Sequence, residues 1–428
     1  MSAAHLVGSS EAPASGLDPL TPSAAVATSL ELSNRSSRDR ELTMAGLFSG
    51  IGGLETGLSR AGFTPTLLCE SWTPARRVLK ARLGEVALGG DVTTLDRLPP
   101  DLALLAAGFP CNDLSLAGTM TGIGGDKSGL VQHVFRLAKT APPAWILLEN
   151  VPHMLTLHRG AAMRLITDEL EGLGYRWAYR RIDTRFTGLP QRRPRVLLLA
   201  SREGNPSAAL LEEDAGPRSA DEYDDRASGF YWTEGRRGLG LVRDALPPLK
   251  GGSTIGIPSH PAVWLPDEPV GSKFVMPHLS DGERLQGLPR GWTRAAETQR
   301  RSDDHRWKMV GNAVTTHVAA WVGRRIADAI TGEVQHLPEP DIPLDRNKPW
   351  PAAGWGGVES AWVSEASAWP RRQRYHHLRD LLDLELATPL SHRATKGFRL
   401  RLESSSIGHP DSFLRDLHEH EDAMLRVS

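Results

Sequence analysis

Cys111 follows the apolar run Leu102 to Ala107 and the turn Gly108-Phe109-Pro110, so a thiol stands where a buried strand ends. In open parallel sheets ligands gather at the carboxyl ends of the strands, and a cysteine on such a turn faces a bound molecule rather than the core. The chemistry on offer is nucleophilic attack by a thiolate, although a lone buried cysteine is more often inert. Glu149 closes a second apolar run, Trp145 to Leu148. A carboxylate in that position must be hydrogen-bonded, paired or held protonated. Held protonated it would serve as an acid; salt-bridged or capping a helix it would be structural. Gln191-Arg192-Arg193-Pro194-Arg195 precedes a third run, Val196 to Ala200, and offers guanidinium donors to a carbonyl or to phosphates.

A second set of residues points to a nucleotide-like cofactor. Phe48-Ser49-Gly50-Ile51-Gly52-Gly53 follows the first strand-like run and opens a helix that stops at Gly62. Its glycines let a ligand approach the backbone, though the turn lacks the full dinucleotide fingerprint. The next run ends in Glu70, at the distance where an acid holds ribose hydroxyls, and Trp72 stands ready to cover an adenine ring. Asp91 ends a short apolar segment after that and can accept from an exocyclic amine. Read one by one, these are surface acids and a turn. Read as three successive strand ends, they form a cofactor rim.

The elements that must position these residues alternate along the chain. Strands are expected at Leu42 to Phe48, Thr66 to Cys69, Leu102 to Ala107, Trp145 to Leu148 and Val196 to Ala200. Amphipathic segments at Pro74 to Leu83, Leu130 to Ala138 and Ala161 to Leu173 separate them, which is the pattern of an α/β fold with a doubly wound, mostly parallel sheet. Residues 1–40, rich in Ala, Ser, Pro and Thr, read as a disordered tail, and 41–201 as the catalytic and cofactor-binding domain. Periodicity fails over 202–277, a second, smaller, loop-rich domain. Residues 278–332 return to the first domain with a closing helix at Val314 to Ile330. The extension 333–428 carries Trp350, Trp355, Trp362 and Trp369, expected to stack on the main body, and a helix from Arg371 to Leu386. Leu114 to Gly129, with five glycines, reads as a mobile lid.

Composition narrows the class. With 40% hydrophobic residues over 428 positions the chain can bury a full core. Its two cysteines, Cys69 and Cys111, exclude a disulfide framework or a Cys-rich zinc site, and no metal is called for. No run is apolar enough to span a bilayer, so a cytoplasmic, membrane-free protein is expected. The net charge of −1 hides local asymmetry: Arg176 to Arg195 and Arg290 to Lys308 are arginine-rich. These segments read either as solvated faces or, flanking one middle region, as a nucleic-acid groove.

Taken in order, the residues resemble the C5-cytosine-specific DNA methyltransferase family. Phe48 to Gly53 resembles its cofactor turn, Pro110-Cys111 its nucleophile motif, Glu149-Asn150-Val151 its acid motif and Gln191 to Arg195 its arginine motif. Leu279 to Pro289 is similar to the segment after the recognition domain, and Gly311-Asn312-Ala313-Val314 to the last motif. The resemblance implies a Rossmann-like fold using S-adenosyl-L-methionine, with 202–277 as target recognition domain. Phe48, Ser49, Gly50, Gly52, Gly53, Glu70, Trp72, Asp91, Asn312 and Ala313 would hold the cofactor. It further implies that Cys111 adds to C6 of a cytosine flipped out of double-stranded DNA, that Glu149 holds the base, and that Arg193 and Arg195 assist both. A monomer is expected. A partner restriction endonuclease, which would make this half of a modification and defence pair, is a matter for neighbouring genes. An RNA cytosine-5 methyltransferase and a catalytically silent DNA-binding protein are the alternatives on the same fold. The chain departs from the family twice: Gly46 replaces an acidic residue before Leu47-Phe48, leaving one polar contact near the cofactor unaccounted for, and Asn112 replaces a glutamine.

Overall fold

The computed structural model describes residues 41–110, 129–234, 238–250, 260–297, 303–333 and 342–427. The expected lid, Cys111 and Asn112 lie in or border the segment 111–128, outside the described residues, as does the tail 1–40.

Strands β1 (Thr43–Leu47), β2 (Thr64–Cys69), β3 (Ala87–Gly89), β4 (Leu104–Gly108) and β5 (Trp145–Asn150) alternate with helices α1 (Gly53–Ser59), α2 (Thr73–Arg82) and α3 (Val131–Thr140). Then come α4 (Ala161–Gly172), β6 (Arg176–Asp183) and β7 (Pro194–Ser201). All six residues of β5 are buried, as are four of the five in β4. Helices cover both faces of this part of the sheet, so these strands read as continuous apolar runs without alternation.

The irregular middle begins with α5 (Pro206–Leu211), capped by the Asn205 side chain. Strands β8 (Ser228–Phe230), β9 (Val242–Arg243), β10 (Ala262–Trp264) and β11 (Phe274–Met276) follow. The chain returns through α6 (Leu279–Leu285), α7 (Asp303–Asn312) and α8 (Thr316–Ile330). Gly57 on α1 faces Ala319 and the Thr316 carbonyl so closely that any side chain there would collide, which lets α8 lie directly against α1.

The final segment is divided between two sheets. Strands β12 (Ala353–Gly356) and β13 (Ala361–Val363) extend the large sheet, whose order is β13-β12-β6-β7-β5-β4-β1-β2-β3. After the short helix α9 (Leu378–Leu381), β14 (Thr388–Pro389) joins β11 in a five-stranded sheet of order β14-β11-β10-β8-β9. Helices α10 (His392–Glu403) and α11 (Asp411–Val427) pack Phe398 and Phe413 against Phe230 and Phe274 of that smaller sheet. Trp350 stacks on Trp177 and Tyr179, with centroids 5.5 and 5.4 Å apart, as expected of an aromatic closing on the main body. The helix expected from Arg371 to Leu386 is a correction: only Leu378–Leu381 is helical. Upstream, the backbone pairs with a turn instead of with itself, Gln373 N donating to Phe186 O and His376 N to Gly188 O (2.9 Å).

Register is what turns these strands into a site. The pairs β1–β2, β1–β4, β2–β3 and β4–β5 are parallel, whereas β5–β7, β6–β7 and β12–β6 are antiparallel. Leu47 lies beside Cys69 and Ala107, Cys69 beside Gly89, and Gly108 beside Glu149. The four parallel pairings therefore bring Phe48, Glu70, Asp91, the Gly108 turn and Glu149 to one rim.

Candidate active site

The rim opens on a cavity of about 700 Å³. Phe48, Ser49, Gly50, Glu70, Trp72, Asp91, Pro110, Glu149, Arg193, Arg195, Asn312 and Ala313 all line it. Gly52 and Gly53 do not stand on that wall. Gly52 takes a left-handed conformation (φ 82°) at the start of α1, and Gly53 abuts the Val314 carbonyl, where a side chain would collide. They shape the turn and let the last motif close on it.

At one end the turn and the second strand are tied through a carboxylate. Glu70 Oε2 accepts from Gly50 N at 2.8 Å and Oε1 from Trp72 N at 2.7 Å. A carboxylate has about four acceptor positions, so capacity remains for hydroxyl donors. Phe48 is left-handed (φ 56°), a conformation that costs a non-glycine residue about 1–2 kcal/mol and that the surrounding turn enforces. Asp91 caps the short turn Val92–Thr94, its Oδ1 accepting from Thr93 N at 2.9 Å. That hydrogen bond holds its carboxyl below the usual range, so it is an acceptor at the cavity mouth. The Lys308 ammonium sits 5.3 Å from the Trp72 ring centroid, and both residues line the cavity.

At the other end an ion pair organises the wall. Arg195 Nε lies 2.9 Å from Glu149 Oε1, both side chains largely buried. Pairing, one of the three ways to tolerate a carboxylate at the end of an apolar strand, is the one realised here. Asn150 braces the neighbouring strand end: its Nδ2 donates to Phe109 O at 3.1 Å and its Oδ1 accepts from Val151 N at 2.8 Å. The turn that leads into Cys111 is thus held by the residue after Glu149. Arg193 is fully buried and donates from Nη2 to the carbonyls of Gly311 and Ala313, each at 2.9 Å. Burial, reinforced by the Arg195 charge, pushes its guanidinium well below the ordinary range, and Glu149 opposes that shift. Nε and Nη1 of Arg193 have no partner among the described residues.

The arginine-rich run from Arg176 to Arg195 does not form one solvent-facing stripe. Arg180 is buried against Asp214 at 3.0 Å, Arg185 pairs with Asp183 at 3.0 Å, and Arg193 and Arg195 turn into the cavity. Arg176, Arg181 and Arg192 face outward. The strands β6 and β7 that carry part of the run are buried along most of their length, so an arginine there must find a partner inside. Further along, Arg290 pairs with Asp383 and Arg306 with Glu297.

Sequence reasoning missed several residues that hold the site together. Gln286 Nε2 donates to Val310 O at 2.8 Å, and its Oε1 accepts from Thr315 Oγ1 at 2.7 Å, clamping the loop that carries Asn312 from both sides. Trp292 Nε1 donates to Ile51 O at 2.8 Å, and Gln191 Nε2 to Leu285 O at 2.8 Å. Glu55, Met309 and Val314 also line the cavity. Of these, Gln286, Gln191 and Val314 carried a signal, as members of recognisable motifs.

Residues 42–228 match the family model described as C-5 cytosine-specific DNA methylase. Over 400 residues the chain is 39% identical to Type II methyltransferase M2.BsuMI of Bacillus subtilis (strain 168), covering 90% of this chain and 100% of that protein. Type II methyltransferase M.BsuFI of Bacillus subtilis is 35% identical over 39% of this chain and 40% of its own length. Type II methyltransferase M.NgoBI of Neisseria gonorrhoeae is 35% identical over 37% of this chain and 50% of its own.

Proposed function

The chain belongs to the C-5 cytosine-specific DNA methylase family, and from that premise we propose that it methylates C5 of a cytosine in duplex DNA through a covalent adduct on Cys111, with S-adenosyl-L-methionine as methyl donor. The observation that carries this reading is the register: it gathers a ribose-type acid, an adenine-type acceptor, the nucleophile turn and the Glu149–Arg195 pair around one cavity.

The lining fits such a donor. Glu70 retains acceptor capacity for ribose hydroxyls, Trp72 offers a ring face, Asp91 accepts from an amine, and the Asn312-Ala313 loop closes the wall. When bound, that cofactor would supply an electrophilic methyl group. The protein's part is to prepare the base. A cytosine inside a duplex exposes neither C5 nor C6 to a side chain, so it must leave the stack. The Cys111 thiolate would add to C6, raising electron density at C5. Glu149, held beside Gly108 and Arg195, would accept from the exocyclic amine and, protonated when the base is bound, give its proton to N3 as thiolate addition places charge there. The guanidinium groups of Arg193 and Arg195 would favour the thiolate. After C5 is methylated, its proton passes to a water acting as base, the C5=C6 double bond re-forms as the C6–S bond breaks, and the Cys111 thiolate is released. The M2.BsuMI likeness supports a place in a type II modification system, with or without an endonuclease partner.

The test is transfer of a labelled methyl group from S-adenosylmethionine to duplex DNA and, in parallel, to RNA. Transfer to DNA by the wild-type protein and none by Cys111→Ala is expected. Transfer to RNA alone would replace the substrate, and unchanged transfer by Cys111→Ala would remove the covalent step.

A further inference from the structure

Glu55 is a carboxylate that the mechanism above does not use. It sits on α1, is fully buried, and lines the same cavity as Phe48 and Glu70. Neither of its carboxyl oxygens has a hydrogen-bond partner among the described residues. The Ser49 hydroxyl beside it has one proton and donates it to Gly46 O at 3.1 Å. A buried carboxylate left in this condition is costly, and the usual remedies are a cation, a donor or a proton.

Its location explains a departure seen in the sequence. Gly46 stands where the family often carries an acidic side chain, and a Cβ built on Gly46 would collide with the Glu55 carboxyl. An acid at 46 and Glu55 in this rotamer are mutually exclusive. The two arrangements deliver one carboxyl group to the same place, either from the end of β1 or from the first turns of α1.

Resting on the methyl-donor reading, we propose that Glu55 is a cofactor-binding residue of this chain: its carboxylate, filling the space above Gly46, binds the α-ammonium group of the donor's amino-acid end. Glu70 and Asp91 belong to the neighbouring strand ends β2 and β3, so the adenosine end and the amino-acid end have separate acidic partners. A cation that also donates is the ligand an unpartnered buried carboxylate selects most strongly, whereas an anionic group would be repelled.

The experiment compares two ligands by isothermal titration of the full chain. S-adenosylhomocysteine carries the ammonium group, and 5′-methylthioadenosine lacks the whole amino-acid end. Glu55→Gln should bind S-adenosylhomocysteine about tenfold to a hundredfold more weakly while its affinity for 5′-methylthioadenosine stays within about twofold of wild type; tenfold corresponds to about 1.4 kcal/mol. The double variant Gly46→Asp with Glu55→Ala, which clears the collision, should recover most of the lost affinity. Equal loss for both ligands would show a merely structural role and overturn the proposal, as would unchanged affinity for S-adenosylhomocysteine. Wild-type protein that binds neither ligand would overturn the methyl-donor reading together with this one.

Discussion

Asp244 and Asp416, beside the smaller sheet, and Glu55, at the rim of the large one, are buried carboxylates treated in opposite ways. Asp244 accepts from Asp224 N (3.1 Å) and Leu378 N (2.8 Å) and contacts His377 Nδ1 at 2.7 Å, and Asp416 accepts from Trp264 Nε1 at 3.0 Å and Lys273 Nζ at 2.7 Å. These groups staple the C-terminal segment to β8–β11, and each of their carboxylate oxygens has a partner within the chain. At the rim of the parallel strands, Glu55 has no hydrogen-bond partner among the described residues, and Arg193 keeps two donor nitrogens unpaired. These two scaffold carboxylates are satisfied within the chain, whereas Glu55 and Arg193 are held at the site with hydrogen-bonding capacity left over.

The comparison can be broken first at the rim. Cys111→Ala should lower methyl transfer by at least about 10³-fold, the scale of losing a covalent nucleophile, while leaving the thermal unfolding midpoint near wild type. A variant that transfers methyl groups normally would place the chemistry elsewhere. Next in size is Glu149→Ala, which strands the Arg195 guanidinium in a buried wall. Removing one partner of such a pair costs about 3–5 kcal/mol, so urea denaturation should show a large fall in stability alongside loss of activity. Stability unchanged within about 0.5 kcal/mol would mean that the pair is not structural.

Asp416→Ala sharpens the contrast from the scaffold side. It leaves the Trp264 indole N–H and the Lys273 ammonium without their acceptor, at a cost of about 2–3 kcal/mol, yet it should leave cofactor affinity unchanged. A shift in cofactor affinity would couple the two sheets. The smallest effect is on pH dependence. Burial, with the Glu70 charge adding to it, pushes the Glu55 carboxyl up to about 7 from 4.5. The folded chain therefore holds this proton more tightly than the unfolded chain, and its contribution to stability is present below about 4.5 and lost as pH rises through 7. Glu55→Gln should flatten this part of the stability profile, and an unaltered profile would assign the decline to another group.

How much of this was legible beforehand follows from which forces act locally. Glu70, Asp91, Gly108 to Pro110 and Glu149 could be read because each ends an apolar run, and buried parallel strands write such runs plainly. The smaller sheet could not be read, because strands of two or three residues such as β9 and β10 are too short to show alternation. The Arg371 to Leu386 segment has helix-like composition, but tertiary pairing with the Phe186–Gly188 turn outweighed its propensity. The basic run looked like a surface because counting charges ignores that β6 and β7 lie inside the large sheet, where Arg180 and Arg195 meet carboxylates and Arg193 meets backbone carbonyls. Glu55 gave no local signal at all. Its meaning arises only when α1 lies across β1 and the missing side chain of Gly46 leaves room for a carboxyl group.

The central claim is that the rim of the parallel strands modifies cytosine at C5 through Cys111. Bisulfite sequencing of DNA from cells expressing the wild-type chain or Cys111→Ala tests it most directly. The account predicts protected cytosines recurring in one short sequence context in the wild-type sample and none in the variant sample. Protection that persists with Cys111→Ala, or a wild-type sample with no protected cytosine, would contradict it.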